Sequence, residues 1–371
     1  MYQSKIIYPV AVFIILLFSS CAQVKELPQQ NGTALLTDIP SQVVAAVSEG
    51  FSIDADVVVP AGLATKPINI YSAQKMVFGE KNAYHVFFGD EPFASRKEHS
   101  VKKNGLSSTV YILENGSTLL AGANDCSFQT PLSQYVKNVF IDDGVDPNYN
   151  VPLYAAQPEL SFETEVGALA VIKEVASNLG VTVCEQYQGY AMPHEVMREE
   201  SIKRIQAFPF AAGDFKTEWT QDEDCYLFRL SAYVEPLPVM REDHGLLDDG
   251  TLVLGSTIDA IYSANGIEQL YISHVYQSTG VVQENISIIS FDDALARAQT
   301  LVDSVVITGT MCIEHIRLQY IPMKADKADL LYTLVPAWSF QVANTIKLDT
   351  GIPVTLRNWI HLSAETGEEI V

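Results

Sequence analysis

The chain has 371 residues, 48% of them hydrophobic, which is enough to bury a sizeable core and to form two domains or one domain with smaller units; disorder along the whole length is excluded. Forty-five acidic residues against 23 basic ones give a formal charge of −22. A surface this acidic repels nucleic acid and anionic headgroups, so neither is an expected partner of the folded part.

The chain begins with MYQSK, followed by a thirteen-residue apolar run from Ile6 to Phe18, then the small residues Ser19 and Ser20, then Cys21. The run fits the core of a signal peptide and falls short of the ~20 residues that a bilayer-spanning helix needs. No later segment is long and apolar enough to span. The order of apolar run, two small residues and cysteine resembles the bacterial lipobox, with Phe18 where leucine is usual and Leu17 beside it. That resemblance implies cleavage before Cys21 and a diacylglycerol thioether on its sulfur. At ~0.8 kcal/mol per buried methylene, such chains amount to a permanent anchor. The alternative is an ordinary cleaved signal in which the cysteine stands by chance. Residues 22–40 are polar, with Pro, Gln, Asn and Gly, and read as a flexible tether. The expected location is extracytoplasmic, lipid-anchored to the bacterial cell membrane.

Residues 41–155 read as a β-rich domain. In FSIDADVVVP, Phe51, Ile53, Ala55 and Val57 alternate with polar neighbours, which predicts a half-buried strand closed by Pro60. Asn115-Gly116 between two apolar runs predicts a hairpin. FIDDGVDPNYNVPLY, rich in turn formers and acids, is the expected boundary. From Ser161 the period becomes helical: Val166, Leu169, Ile172, Val175 and Leu179 mark one face and Gly180 the stop. A second helix is expected around PHEVMREESIKRIQ, then strands on either side of Asn265-Gly266, completing an α+β unit over 156–288.

Residues 289–371 predict one helix and three strands. Ser290 is an N-cap with Asp293 three residues on, and Phe291, Leu295, Ala298 and Val302 share a face. In IEHIRLQYIP, Ile316, Leu318 and Tyr320 alternate with Arg317 and Gln319. LLYTLVPAWSFQV is a second strand, which Pro336 marks as an edge or a bulge. A third ends at a turn on Thr366-Gly367. Residues 224–267 and 329–370 rhyme, each with a helix upstream, which suggests a helix laid across an antiparallel sheet and made twice; chance similarity between two sheet-rich stretches is the alternative.

SFDDALARA, IRLQYIP, LVPAWSF and LSAETGEEI, in that order, resemble the helix and three-strand unit of PepSY-type and YycI/YycH-like extracytoplasmic domains. The whole layout is similar to lipoproteins of Gram-positive gut bacteria. The resemblance implies an α+β fold of helices on antiparallel sheets, in tandem units behind the β-rich region. It also implies an accessory, sensory or inhibitory role at the cell envelope. Its signature is a turn around Gly367 and carries no catalytic residue.

Chemical motifs are sparse. G-x-S-x-G, H-E-x-x-H and the phosphate-binding G-x-x-x-x-G-K-S/T are all missing; Ser100-Val-Lys-Lys103 satisfies S-x-x-K without its companion motifs. The seven histidines are scattered without ligand spacing, and those in strands, His274 and His361, are expected to bond to backbone or neighbours. The acidic runs at Asp142–Asp146, Asp222–Asp224 and Asp248-Asp249 lack EF-hand order and read as solvated loops. Beyond Cys21, four cysteines remain: Cys126, Cys184, Cys225 and Cys312, either paired or free. Trp338, Tyr332 and Phe340 share a strand face that is ordinarily core, yet Trp338 beside Pro336 on an edge strand is the expected place for a peptide to add to the sheet. No metal, cofactor or catalytic residue is expected. The expected function is non-catalytic binding of a protein or peptide at the envelope; the alternative is an extracytoplasmic hydrolase or ligand-delivery lipoprotein whose site forms only on folding.

Overall fold

The computed structural model describes residues 39–370 apart from 90, 102–105, 144–147, 243, 247–251, 305–308, 326–330 and 348–352. Cys21, the tether as far as residue 38, Asp146, Lys102, Lys103 and Asp248-Asp249 lie outside the described residues.

In chain order come β1 (Gln42–Ser48), β2 (Phe51–Val58), β3 (Ile70–Lys75), α1 (Glu80–Phe88), β4 (Ser95–Val101), β5 (Leu106–Ile112), β6 (Thr118–Gly122) and β7 (Asp125–Gln129). Three helices follow, α2 (Pro131–Val139), α3 (Val151–Ala155) and α4 (Glu165–Asn178), then β8 (Val183–Met192) and α5 (His194–Ala207). The middle strands are β9 (Cys225–Val234), β10 (Leu237–Pro238), β11 (His244–Leu246), β12 (Leu252–Val253), β13 (Thr257–Ser263), β14 (Gly266–Ser273) and β15 (Tyr276–Gln283). The chain closes with α6 (Phe291–Asp303), β16 (Thr310–Lys324), β17 (Leu331–Lys347) and β18 (Pro353–Ser363).

The fold is α+β, as the sequence predicts. One sheet has seven strands in the order β1-β2-β16-β17-β3-β15, with β18 also on β17. The other has nine in the order β10-β9-β13-β14-β7-β6-β5-β4, with β8 also on β9, and β11-β12 form a separate pair. Pairing is antiparallel except between β2 and β16. Local signals account for many of these elements. Asn115-Gly116 and Asn265-Gly266 turn hairpins, with both glycines at positive φ. Thr164 and Ser290 cap α4 and α6 by accepting hydrogen bonds from Gly167 and Asp293 N–H groups.

Each large sheet buries one face under a helix. On the seven-stranded sheet, Phe291, Ala294, Ala298 and Val302 of α6 pack with Phe51, Ile53, Ile316, Leu318, Trp338 and Phe340. On the nine-stranded sheet, Ala168, Leu169, Ile172 and Ala176 of α4 pack with Phe228, Leu230, Ile258 and Ala260. Val166, expected on the packed face of α4, is 68% exposed, because alanines 168 and 176 supply the close approach instead. The opposite face of the nine-stranded sheet carries a smaller core, in which Val136 and Met197 of α2 and α5 meet Leu227 and Ile261.

Among the described residues, α1 precedes the antiparallel run β4-β5-β6 and α6 precedes β16-β17-β18, whereas α4 precedes β8-β9-β13 with α5 and β10–β12 inserted between the strands. The segments expected from the sequence, 41–155, 156–288 and 289–371, do not divide along the sheets. β1, β2 and β3 of the first segment and β15 of the second lie in the sheet of β16–β18, whereas β4–β7 share a sheet with β14. The reason is burial: a two-stranded hairpin such as β1-β2 cannot cover Phe51 and Ile53 by itself and must join a larger sheet. All described residues fall in one compact unit.

The expected binding edge around Trp338 is not an edge. β17 is flanked by β16 on one side and by β3 and then β18 on the other, so Pro336, Tyr332, Trp338 and Phe340 sit mid-sheet. Pro336 opposes Tyr320, and its carbonyl accepts from the Ala364 N–H. Trp338 and Phe340 are 0% exposed, and Phe291 meets the Trp338 ring edge-on at 5.6 Å. Pro336 turns its nitrogen and carbonyl towards the gap between β3, which pairs as far as Leu334, and β18, which pairs from Ala337, so no ladder bond there needs the missing donor.

Candidate functional site

The faces of the two sheets turned away from α4 and α6 border a polar cleft of about 540 Å³. It falls within the ~300–1,000 Å³ typical of small-molecule sites. From the nine-stranded sheet come Gln188 and Tyr190 of β8, Arg229 of β9, and Thr257 and Asp259 of β13. Gln188, Arg229 and Asp259 stand in one cross-strand row, so alternation sends all three to the same face. Asp142, Tyr149 and Val151 close that side. From the seven-stranded sheet come His315 and Arg317 of β16, Gln341 of β17 and Arg357 of β18.

Arg241 and Glu242 belong to the segment that joins the sheets. Val239 N–H donates to the Ala232 carbonyl in one sheet, and Met240 N–H donates to the Tyr320 carbonyl in the other at 2.9 Å. Arg241 then ties β9 to β13: its Nη1 donates to the carbonyls of Leu230 (3.2 Å) and Ile258 (3.0 Å), and its Nη2 to Asp259 (2.7 Å).

Half of the chain's eight arginines line this cleft, four guanidiniums against the carboxylates of Asp142, Glu242 and Asp259. In a chain of net charge −22, the lining reverses the sign of the whole. Each arginine is oriented. Arg229 pairs with Asp142 and lies over the Phe140 ring at 5.1 Å. Arg357 forks onto Glu314, Nε to Oε2 at 2.8 Å and Nη2 to Oε1 at 3.4 Å. Arg317 lies over the Trp359 ring at 5.0 Å and meets Glu242 Oε1 at 3.3 Å. Behind this wall, the buried Ser339 hydroxyl links Gln319 (3.0 Å) to His361 Nδ1 (2.8 Å), which holds β16, β17 and β18 together.

A β-bulge positions His315. Against β17 the register steps from Ile313↔Val342 to His315↔Gln341, so Glu314 is an extra residue there, and against β2 it steps from Ile313↔Ile53 to His315↔Asp56, where the extra residue is on β2. Ile313 and Ile316 can then both face α6 while His315 turns to the cleft. Burial pushes the His315 pKa down, and Arg317 and Arg357 push it further. Asp56, 4.0 Å from Nδ1 and 69% exposed, and Glu314 pull the other way without reversing the shift, so the net effect favours the neutral ring.

The remaining residues singled out in the sequence lie elsewhere. Asp224 is not in a solvated loop: it is buried and accepts from the backbone N–H of His194 and contacts its ring Nδ1. Glu223 pairs with Lys216 and caps the Thr220 turn. Among the described residues, no three His, Cys, Asp or Glu side chains converge as a metal site. Cys126, Cys184, Cys225 and Cys312 are free thiols, and burial pushes Cys126 up to about 12. Sequence reasoning gave no functional role to Arg229, Arg317 and Arg357, although it placed Arg317 on the polar side of its strand. Their signal is an arginine in mid-strand, as in YLFRLSA, EHIRLQY and VTLRNWI, which declares a polar face opposite an apolar one.

No protein-family model matches the chain, and no curated protein matches it. Among solved structures, it is similar to an uncharacterized protein from Eubacterium rectale, with a TM-score of 0.71 at 15% identity over 91% of this chain and 95% of that one. A likeness at that identity concerns the fold alone.

Proposed function

We propose that the protein is a non-catalytic binding protein of the cell envelope, tethered through lipid on Cys21, that takes a small charged ligand into the cleft between its sheets in an accessory or regulatory role. The observation that carries the proposal is the gathering of Arg229, Arg241, Arg317 and Arg357, each held by a carboxylate, in a chain that is otherwise acidic. Preset guanidiniums lower the ordering cost of binding. The cleft's ionisable groups are used to orient one another, which suits recognition rather than turnover. The tether rests on the run from Ile6 to Cys21.

Two measurements test this reading. Cys21→Ser should move the protein from the detergent phase to the aqueous phase; unchanged partitioning would overturn the tether. Calorimetry of the Cys21→Ser chain against charged metabolites should give a ligand whose binding Arg317→Gln weakens about tenfold or more, the scale of one charged hydrogen bond. A hydrolytic second reading is favoured by His315, whose surroundings favour the neutral ring, which is able to accept a proton. Ligand turnover abolished by His315→Gln would replace binding with catalysis.

A further inference from the structure

Two of the four arginines in the cleft make two or more hydrogen bonds, and two make one each; only the Arg317–Glu242 pair also holds a buried carboxylate oxygen with no partner among the described residues. Arg241 spends its donors on two carbonyls and Asp259, and Arg357 forks onto Glu314, whereas Arg229 makes one contact, to Asp142, and lies over the Phe140 ring. Arg317 and Glu242 share one contact of 3.3 Å, longer than the 2.7 Å between Arg241 and Asp259. On the acid side, Glu242 Oε2 is buried and accepts no hydrogen bond among the described residues. On the basic side, a guanidinium carries five N–H donors, and among the described residues the contacts of Arg317 are this one oxygen and the face of Trp359. A buried carboxylate oxygen without a donor costs free energy that a ligand can recover.

The spare donors and the spare acceptor lie within a few ångströms of each other, which sets the ligand's chemistry. A plain anion drawn to Arg317 meets the Glu242 carboxylate beside it, and a plain cation drawn to Glu242 meets the guanidinium. A group bearing both signs on adjacent atoms answers both. We infer that the cleft takes an α-amino acid head group, its carboxylate on Arg317 and its ammonium on Glu242 Oε2, in an inference that rests on the cleft being a ligand site. The side chain of the bound amino acid then extends along the rest of the cleft, where the amides of Gln188 and Gln341 and the Tyr149 hydroxyl offer polar contacts. The Trp359 face behind Arg317 restrains the orientation of the planar guanidinium.

The test is calorimetric titration of the full chain carrying Cys21→Ser with the twenty standard amino acids, then with the N-acetyl and α-amide forms of whichever bind. Blocking either end should weaken binding at least about tenfold. Glu242→Gln should remove most of the difference between the free and N-acetylated ligand, which a purely structural role for Glu242 would leave intact; circular dichroism checks that the variant is folded. If the N-acetyl form binds as well as its parent, the head-group assignment is overturned and the cleft remains a site for anions. If no amino acid binds while citrate does and Arg317→Gln weakens it, or spermidine does and Glu242→Gln weakens it, the assignment fails and the ligand site stands. If none of these probes binds, both fail.

Discussion

His315 carries the pH sensitivity of the cleft. Its folded pKa lies below the ordinary 6.5 because burial, Arg317 and Arg357 oppose the charged ring. Well above pH 6.5 neither the folded nor the unfolded chain holds this proton. As pH falls through that value the unfolded chain binds it first, so stability drops until the folded pKa is passed and then levels off. His315→Gln should remove this loss. Its stability relative to wild type, measured by urea unfolding, should be constant above pH 7 and rise between pH 6.5 and the folded value; a constant difference throughout would contradict the assignment. Gly367 makes a second residue-scale point. It sits at φ 70°, and a Cβ there would come within 2.4 Å of Arg297 Nη1, which donates to the Thr366 carbonyl at 2.8 Å. The resemblance to PepSY-type ends was drawn on this turn, and here its role is to seat the last hairpin on α6.

At the level of the element, β17 is the spine of its sheet. It pairs along Thr310–Lys324 with β16 and along Pro353–Ser363 with β18, and Trp338 drives into the core beneath α6. Trp338→Ala should cost about 3–5 kcal/mol, as large-to-small core substitutions do. Trp338→Phe should cost much less, because the indole Nε1 is buried without a hydrogen-bond partner among the described residues, and removing it relieves a desolvation of about 1–3 kcal/mol. Denaturant melts of the two variants check the order. Equal losses would mean that the indole N–H is satisfied. α4 and α6 were legible because their signals are local, caps at Thr164 and Ser290 and a 3.6-residue period, and α5 from the proline that precedes it. The edge reading of β17 failed because Pro336 reports only its own missing donor, and flanking strands are chosen by distant segments.

For the whole molecule, Arg241 is the clasp between the sheets. It lies next to Met240, whose N–H bonds to β16, and it binds β9 and β13 itself. Arg241→Met should destabilise the protein by roughly 3 kcal/mol through loss of charge-assisted bonds that leaves Asp259 without its cation. It should also separate unfolding into two steps where the wild type shows one, seen by calorimetry. A single transition in the variant would mean that shared strands, not the clasp, couple the sheets.

By itself the sequence determined what is written within a few residues of chain. It set which stretches alternate and which turn every 3.6 residues, where Asn-Gly closes a hairpin, and that Arg317 opposes a face made of Ile316 and Leu318. Those outcomes depend on side-chain direction and on hydrogen bonds to near neighbours. Only the tertiary structure decided that β2 lies against β16, about 260 residues away, and that arginines from β9, β16, β18 and a joining segment meet in one cleft. Which strands neighbour one another is settled by burial of whole faces and the closure of long loops, quantities that no local window contains.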